Sequence, residues 1–127
     1  MTEPLPPVVL VVDDDPAVVD LVARVLDGLG CRTLTAGTSR RALAVAESLE
    51  RLDLLITDVN VPGGGGRHLA VEVGAIHPSA RVIYISGFPS EQIAQEGIVT
   101  GAQTFLAKPF AIGELAEAVS QLVPLAV

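Results

Sequence analysis

Polar residues able to take part in phosphate chemistry follow several apolar runs of this sequence, at the point where each run ends. Clustered carboxylates form the hard oxygen site that Mg²⁺ prefers, and one carboxylate can act as a nucleophile toward phosphorus. A lysine and a hydroxyl can stabilise the negative charge of a phosphoryl group in transfer. The residues are Asp13, Asp14, Asp15, Asp58, Ser86 and Lys108, the last followed by Pro109. Together they predict phosphoryl transfer to a carboxylate.

Each of these residues also has an ordinary structural explanation. Asp15 is favoured as a helix cap, Ser86 as part of a turn, and Lys108 as a solvated surface lysine. Three acids at strand ends are harder to explain in this way, because they repel one another unless a cation lies among them. The prediction therefore depends on the joint placement of the acids, the hydroxyl and the lysine.

Apolar runs of strand length alternate five times with segments of helical periodicity, which predicts repeated βα units. The first run, VVLVV, is apolar at successive positions, as expected for a central parallel strand covered on both faces. The predicted strands are Val8–Asp13, Arg32–Ala36, Leu54–Asp58, Arg81–Ser86 and Gln103–Ala107.

The first predicted helix has clear signals at both ends. Asp15 is suited to the N-cap, Pro16 to the first helical position, and Gly30 to the position just beyond the end. The predicted helices are Pro16–Leu29, Ser39–Glu50, Gly66–Ile76, Ser90–Val99 and Ile112–Val123. Five βα units with right-handed crossovers form an open parallel sheet with helices on both faces, and chemistry gathers at the carboxyl ends of its strands.

Length and charge restrict the protein class. The 127 residues, 50% of them hydrophobic, suit one compact domain, and we expect no output domain within this length. The net charge of −7 argues against direct binding of nucleic acid or of an anionic membrane. No membrane span or signal-peptide pattern is present, so we expect a cytoplasmic protein. The single Cys31 is expected to be a small buried hydrophobe.

Four segments, VVLVVDDDP, LDLLITDVNVPGGGG, RVIYISGF and FLAKPF, resemble the signature blocks of the response-regulator receiver domains of bacterial two-component systems, in the family's order and spacing. The resemblance extends from Val8 to Val123. It implies a doubly wound, flavodoxin-like (βα)5 sheet with strand order 2-1-3-4-5. It also implies a receiver domain over residues 8–124, a flexible N-terminal segment over 1–7 and a tail over 125–127.

The resemblance implies a role for each acidic residue. Asp58 would be the phosphoacceptor, and Asp13 and Asp14 the acidic pair of a site for Mg²⁺ or Mn²⁺. Asp14, Asp58 and the backbone carbonyl of Asn60 would contact the ion. The family catalyses only its own phosphorylation and dephosphorylation, so we do not expect an enzyme with an external substrate.

The remaining site residues are implied by the same resemblance. Ser86 would be the switch hydroxyl, Phe105 the aromatic switch residue and Lys108 the phosphate-binding lysine. A cis Lys108-Pro109 bond would aim the ammonium inward. Phosphorylation would change the surface formed by the fourth predicted helix, the fifth strand and the fifth predicted helix.

The implied partner is a histidine kinase or a histidine phosphotransfer protein, with a phosphorylation-dependent homodimer as a further expectation. The ISGF block resembles receivers fused to hybrid histidine kinases more than chemotaxis receivers. Two features depart from the common pattern. The run Gly63–Gly66 predicts a mobile loop near Asp58, and Phe88 stands where many receivers have a polar residue.

Two other functions are consistent with such a fold. The chain could be a phosphorylation-independent protein-interaction module that has kept the fold and lost the switch, although all the key residues are present. A phosphomonoester hydrolase using Asp58 as nucleophile would need an acid two residues later, and that position holds Asn60.

Overall fold

The computed structural model describes residues 5–87 and 103–125, apart from the side chains of Gln103 and Phe105. In this part of the chain, the strands form one parallel sheet, and helices cover both of its faces. The strands are β1 (Val8–Val12), β2 (Arg32–Ala36), β3 (Leu54–Asp58), β4 (Arg81–Ser86) and β5 (Gln103–Ala107). The helices are α1 (Pro16–Gly28), α2 (Ser39–Ser48), α3 (Gly66–Ile76) and α4 (Ile112–Leu122).

The five strands are parallel and lie in the order β2-β1-β3-β4-β5, which confirms the flavodoxin-like topology. Val12 lies beside Thr57 in the β1–β3 register, so Asp13 and Asp58 follow at the same level of the sheet. Ser86 lies beside Ala107 in the β4–β5 register, directly before Lys108. The predicted site residues therefore share the carboxyl edge.

The side chains of β1 alternate between two apolar cores, one on each face of the sheet. Val8, Leu10 and Val12 pack on the face that α2 and α3 cover. Val9 and Val11 pack on the face that α1 and α4 cover, together with Cys31. Burying a Val or Leu side chain completely contributes about 1.5 to 3 kcal/mol, so these two cores hold the sheet and its carboxyl edge in place.

The helix signals in the sequence are largely confirmed. Asp15 caps α1, because its carboxylate accepts from Ala17 N–H at 3.0 Å, and α3 has its predicted bounds. Helix α2 ends at Ser48, two residues before the predicted end, because Leu49 turns to extended backbone and packs on the core. The predicted helix Ser90–Val99 lies outside the described residues. Within the described residues, no helix is both long and apolar enough to cross a membrane.

Asp53 fastens the amino end of the sheet, opposite the predicted site. Its Oδ2 accepts from Val8 N–H at 2.8 Å and from Arg51 Nε at 3.1 Å, while its own N–H donates to Val8 O at 2.9 Å. Arg51 also donates to the carbonyl of Pro6. This network fixes the start of β1 against β3 without involving the carboxyl edge.

Replacement of Asp53 by Ala should lower the free energy of unfolding by about 1 to 2 kcal/mol, because Val8 N–H and the Arg51 guanidinium lose their acceptor. Urea unfolding measures this effect. Asp20→Ala is the control: it removes an ion pair with Arg24 between side chains that are 63% and 78% exposed, and should change stability little. An equal decrease in the free energy of unfolding of both variants would show that the Asp53 hydrogen bonds contribute no more to stability than an exposed ion pair.

Candidate phosphoryl-transfer site

Three carboxylates come together at the carboxyl ends of β1 and β3. Asp13 and Asp14 follow β1, and Asp58 is the last residue of β3. One carboxylate oxygen of each lies within 4.8 Å of the others. Asp13 is 1% exposed and Asp58 is 8% exposed, whereas Asp14 is exposed. The cluster is therefore open to solvent on the side of Asp14 and enclosed on the other.

Lys108 supplies the positive charge of the cluster. Its Nζ lies 3.0 Å from Asp13 Oδ2 and 3.7 Å from Asp58 Oδ2. The lysine follows β5 directly, and its N–H donates to Ser86 O at 2.8 Å, which extends the β4–β5 ladder by one residue. The Lys108-Pro109 peptide bond is cis, as the resemblance implied. One ammonium thus serves two buried carboxylates.

The oxygen atoms of the cluster fit a hard divalent cation such as Mg²⁺ or Mn²⁺. Asp13 Oδ1 accepts from Asp15 N–H at 2.9 Å. Asp13 Oδ2 is buried and, apart from the Lys108 ammonium at 3.0 Å, has no polar partner among the described residues. Among the described residues, Asp58 Oδ1 has one long contact, 3.4 Å, with Asn60 N–H. Carboxylate oxygens that keep free lone pairs are the ligands that Mg²⁺ prefers.

The pKa of Asp58 is raised above its ordinary value. Burial is the largest cause, because it disfavours the charged carboxylate; the nearby charges of Asp13 and Asp14 raise the pKa further. Lys108 and the Asn60 N–H lower it, without cancelling the effect of burial. The sequence suggested repulsion among the acids as the main source of strain. Repulsion contributes less to the raised pKa of Asp58 than the loss of solvent on burial does.

The pKa of Lys108 is also raised. Burial favours the neutral amine and lowers the pKa, but contact with the Asp13 carboxylate and the charges of Asp58, Asp13 and Asp15 together outweigh burial. The lysine is accordingly a firmly charged ammonium, suited to attracting phosphate oxygens and unsuited to accepting a proton near neutral pH.

Gly66, the first residue of α3, fixes the backbone of Asp58, and the sequence did not identify this role. A Cβ atom on Gly66 would overlap the carbonyl oxygen of Asp58 and lie 3.0 Å from Thr57 Oγ1. Gly66 N–H donates to Val59 O at 2.8 Å, and Thr57 Oγ1 donates to Asp58 O at 3.0 Å. Because Gly66 lies eight residues after Asp58 in the sequence, no local pattern predicts this contact.

The other predicted site residues are placed as follows. Ser86 is completely buried at the end of β4, next to the Lys108 backbone. Asn60 is exposed beside Asp58, and its backbone carbonyl as a metal ligand stays a prediction. Phe105 lies in β5 opposite Tyr84, but its side chain is outside the described part of the chain, as is Phe88. Asp15, the fourth acid, serves as the α1 cap.

Comparison with known proteins gives consistent matches over most of the chain. The sequence model described as the response regulator receiver domain matches residues 9–120. Sporulation initiation phosphotransferase F of Bacillus subtilis is 32% identical over 117 residues, covering 92% of this chain and 94% of that protein. The chain spans less than half the length of several other curated relatives.

Solved structures give the same result. The chemotaxis response regulator CheY4 of Vibrio cholerae matches with a TM-score of 0.82 and 30% identity, covering 93% of this chain and 99% of that chain. The receiver domain of the hybrid histidine kinase CckA matches with a TM-score of 0.76 and 35% identity, covering 91% and 97% of the two chains.

Gly66→Ala should lower the free energy of unfolding by about 1 to 3 kcal/mol, because the new methyl group displaces the Asp58 carbonyl. Gly74→Ala is the matched control in the same helix. Its Cβ would contact nothing within 4 Å, and replacement of a helical glycine should stabilise by about 0.5 to 1 kcal/mol. Urea unfolding of both variants decides the matter, since a Gly66→Ala protein as stable as the wild type would refute the close packing.

Asp58→Asn should raise the melting temperature by a few degrees in EDTA. Since the pKa of Asp58 is higher in the folded chain, its ionised form destabilises the fold above that pKa. The gain from the substitution should therefore be full near neutral pH and fade as the pH falls through the folded pKa toward about 4, the ordinary value.

Mg²⁺ should stabilise the wild type more than Asp58→Asn. A ligand stabilises a protein by binding its folded state, and the substitution removes one carboxylate from the folded site. Thermal melts with and without Mg²⁺ test both parts. The shared cation site would be contradicted if Asp58→Asn were less stable in EDTA, or if it gained as much from Mg²⁺ as the wild type.

Proposed function

The chain belongs to the response regulator receiver domain family, and from this premise we propose that it is a phosphorylation-operated switch with Asp58 as its phosphoacceptor. The observation that carries the proposal is the position of the Lys108 ammonium, 3.0 Å from Asp13 and 3.7 Å from Asp58. The same cluster contains an oxygen set that fits Mg²⁺.

In the proposed reaction, an Asp58 carboxylate oxygen attacks the phosphorus of a phosphohistidine. The new O–P bond forms as the P–N bond breaks, and the imidazole nitrogen keeps the electron pair and takes up a proton. Bound Mg²⁺, held by Asp13, Asp14, Asp58 and the Asn60 carbonyl, would supply charge to the phosphoryl oxygens. The Lys108 ammonium would add a second positive charge beside Asp58.

Charge movement provides the switch. A phosphoryl group on Asp58 offers Lys108 and the hydroxyl of Ser86 new acceptors, and Lys108 can then leave its ion pair with Asp13. Lys108 and Ser86 connect the ends of β5 and β4 through a backbone hydrogen bond. A movement of their side chains would therefore change the surface formed by β5 and α4, which is the fifth predicted helix, and Phe105 of β5 would change position with it.

The relatives support a histidine-containing partner. One is named a sporulation initiation phosphotransferase and another is the receiver domain of a hybrid histidine kinase. We therefore propose that the donor is a histidine kinase or a histidine phosphotransfer protein in the cytoplasm. The chain acts on its own aspartate and, under this proposal, is not an enzyme for an external substrate.

Incubation with acetyl phosphate and Mg²⁺ should add one phosphoryl group, observed by intact mass, and none to Asp58→Asn. Lys108→Ala should slow the addition about a hundredfold, the usual effect of losing one group that stabilises transferring charge. Arg81→Ala, an exposed cation at the amino end of β4, is the control and should not change the rate. No added phosphoryl group on the wild type would favour a phosphorylation-independent interaction module, and continuous turnover of phosphomonoesters would favour a hydrolase.

A further inference from the structure

A second feature lies directly beside the acid cluster, in the cleft between α1 and the start of α2. Its volume is about 560 Å³. It is lined by Asp13 and Asp14, by Val19, Asp20 and Ala23 of α1, and by Arg41. A molecule that approaches the acids along this cleft passes the Arg41 guanidinium.

Arg41 is placed where a cation has no evident structural use. It is exposed, and in the part of the chain that the structure describes no carboxylate lies within ion-pair distance of it. It stands in the first turn of α2, where its N–H donates to the capping Thr38 Oγ1 at 3.2 Å. A positive side chain in the first turn is unfavourable, because the helix dipole is positive there.

We propose that Arg41 recognises the anionic phosphate oxygens of the phosphodonor as the donor enters this cleft. The inference rests on the proposed function of Asp58. The protein carries a net charge of −7, and the cluster itself is acidic, so an anionic donor is repelled along most approaches. Lys108 is already paired with Asp13 and Asp58, whereas the Arg41 guanidinium can offer several N–H donors to phosphate.

A matched control lies next to Arg41. Arg40 is also exposed and in the first turn of α2, but it does not line the cleft. Both arginines carry the same charge on the same helix, so a general electrostatic effect of α2 would act through either residue. Recognition inside the cleft requires Arg41 alone.

The test measures the rate of phosphorylation of the full chain by acetyl phosphate at saturating Mg²⁺, using intact mass after quenching. At low ionic strength, Arg41→Ala should reduce the second-order rate constant about fivefold, the effect of one unit charge at contact distance in water. Arg41→Lys should retain most of the rate, and Arg40→Ala all of it. The deficit of Arg41→Ala should disappear in about 1 M salt, where screening extends over only about 3 Å.

A second readout separates donor recognition from neutralisation of the acids. Calorimetric titration of Mg²⁺ should show equal or tighter binding to Arg41→Ala, because a nearby positive charge has been removed. Equal rates for wild type and Arg41→Ala, equal losses in the Arg40 and Arg41 variants, or a deficit that persists at high salt would each overturn the inference while leaving the proposed function intact. A wild type that acetyl phosphate does not phosphorylate would overturn both.

Discussion

The structure depends on keeping two buried carboxylates and one ammonium together at the carboxyl edge of the sheet. Asp13 and Asp58 follow residues that are neighbours in the β1–β3 register, so parallel pairing itself forces them side by side. Burial raises the pKa of Asp58, and the ionised group is correspondingly unfavourable in the folded chain. The two apolar cores packed on opposite faces of the sheet hold the strands in place against this strain.

Lys108 stabilises this arrangement only partly. Its Nζ is closer to Asp13 than to Asp58, and Asp14 at the solvent side is without a described ion pair. The cluster therefore retains an excess of negative charge and free carboxylate oxygens, which is the condition for binding a divalent cation. A phosphoryl group on Asp58 would compete for the ammonium that Asp13 now holds. Under the proposed function, stability and signalling would depend on the same few charges.

The position of the Asp58 carboxylate is set by the backbone as much as by charge. The close approach of Gly66 to the Asp58 carbonyl ties the start of α3 to the end of β3. Gly63, Gly64 and Gly65 all adopt positive φ, which lets the chain turn from Val61 back to α3 within a few residues. The glycine run thus includes a packing residue as well as three turn residues, and the mobility that its composition predicts stays a prediction.

Much of this structure could be predicted from the sequence, because apolar periodicity and capping residues are local signals. The run VVLVV, the Asp15 cap and the bounds of α3 all follow from such signals. Strand order came from the family resemblance, since periodicity identifies strands but not their neighbours. The pairing of Lys108 with Asp13, the Gly66 contact and burial as the main cause of the raised Asp58 pKa depend on three-dimensional packing, which local patterns do not encode.

Amide NMR of the whole chain, titrated with Mg²⁺ and then beryllofluoride as a phosphoryl analogue, tests the central claim most directly. The acid cluster with its shared ammonium should bind Mg²⁺ with shifts at Asp14, Asp58 and Asn60. Beryllofluoride should then shift Ser86, Phe105 and Lys108 together, as the ammonium leaves Asp13 for the analogue. Saturating Mg²⁺ and beryllofluoride that leave the resonances of Ser86 and Lys108 unchanged would contradict the account.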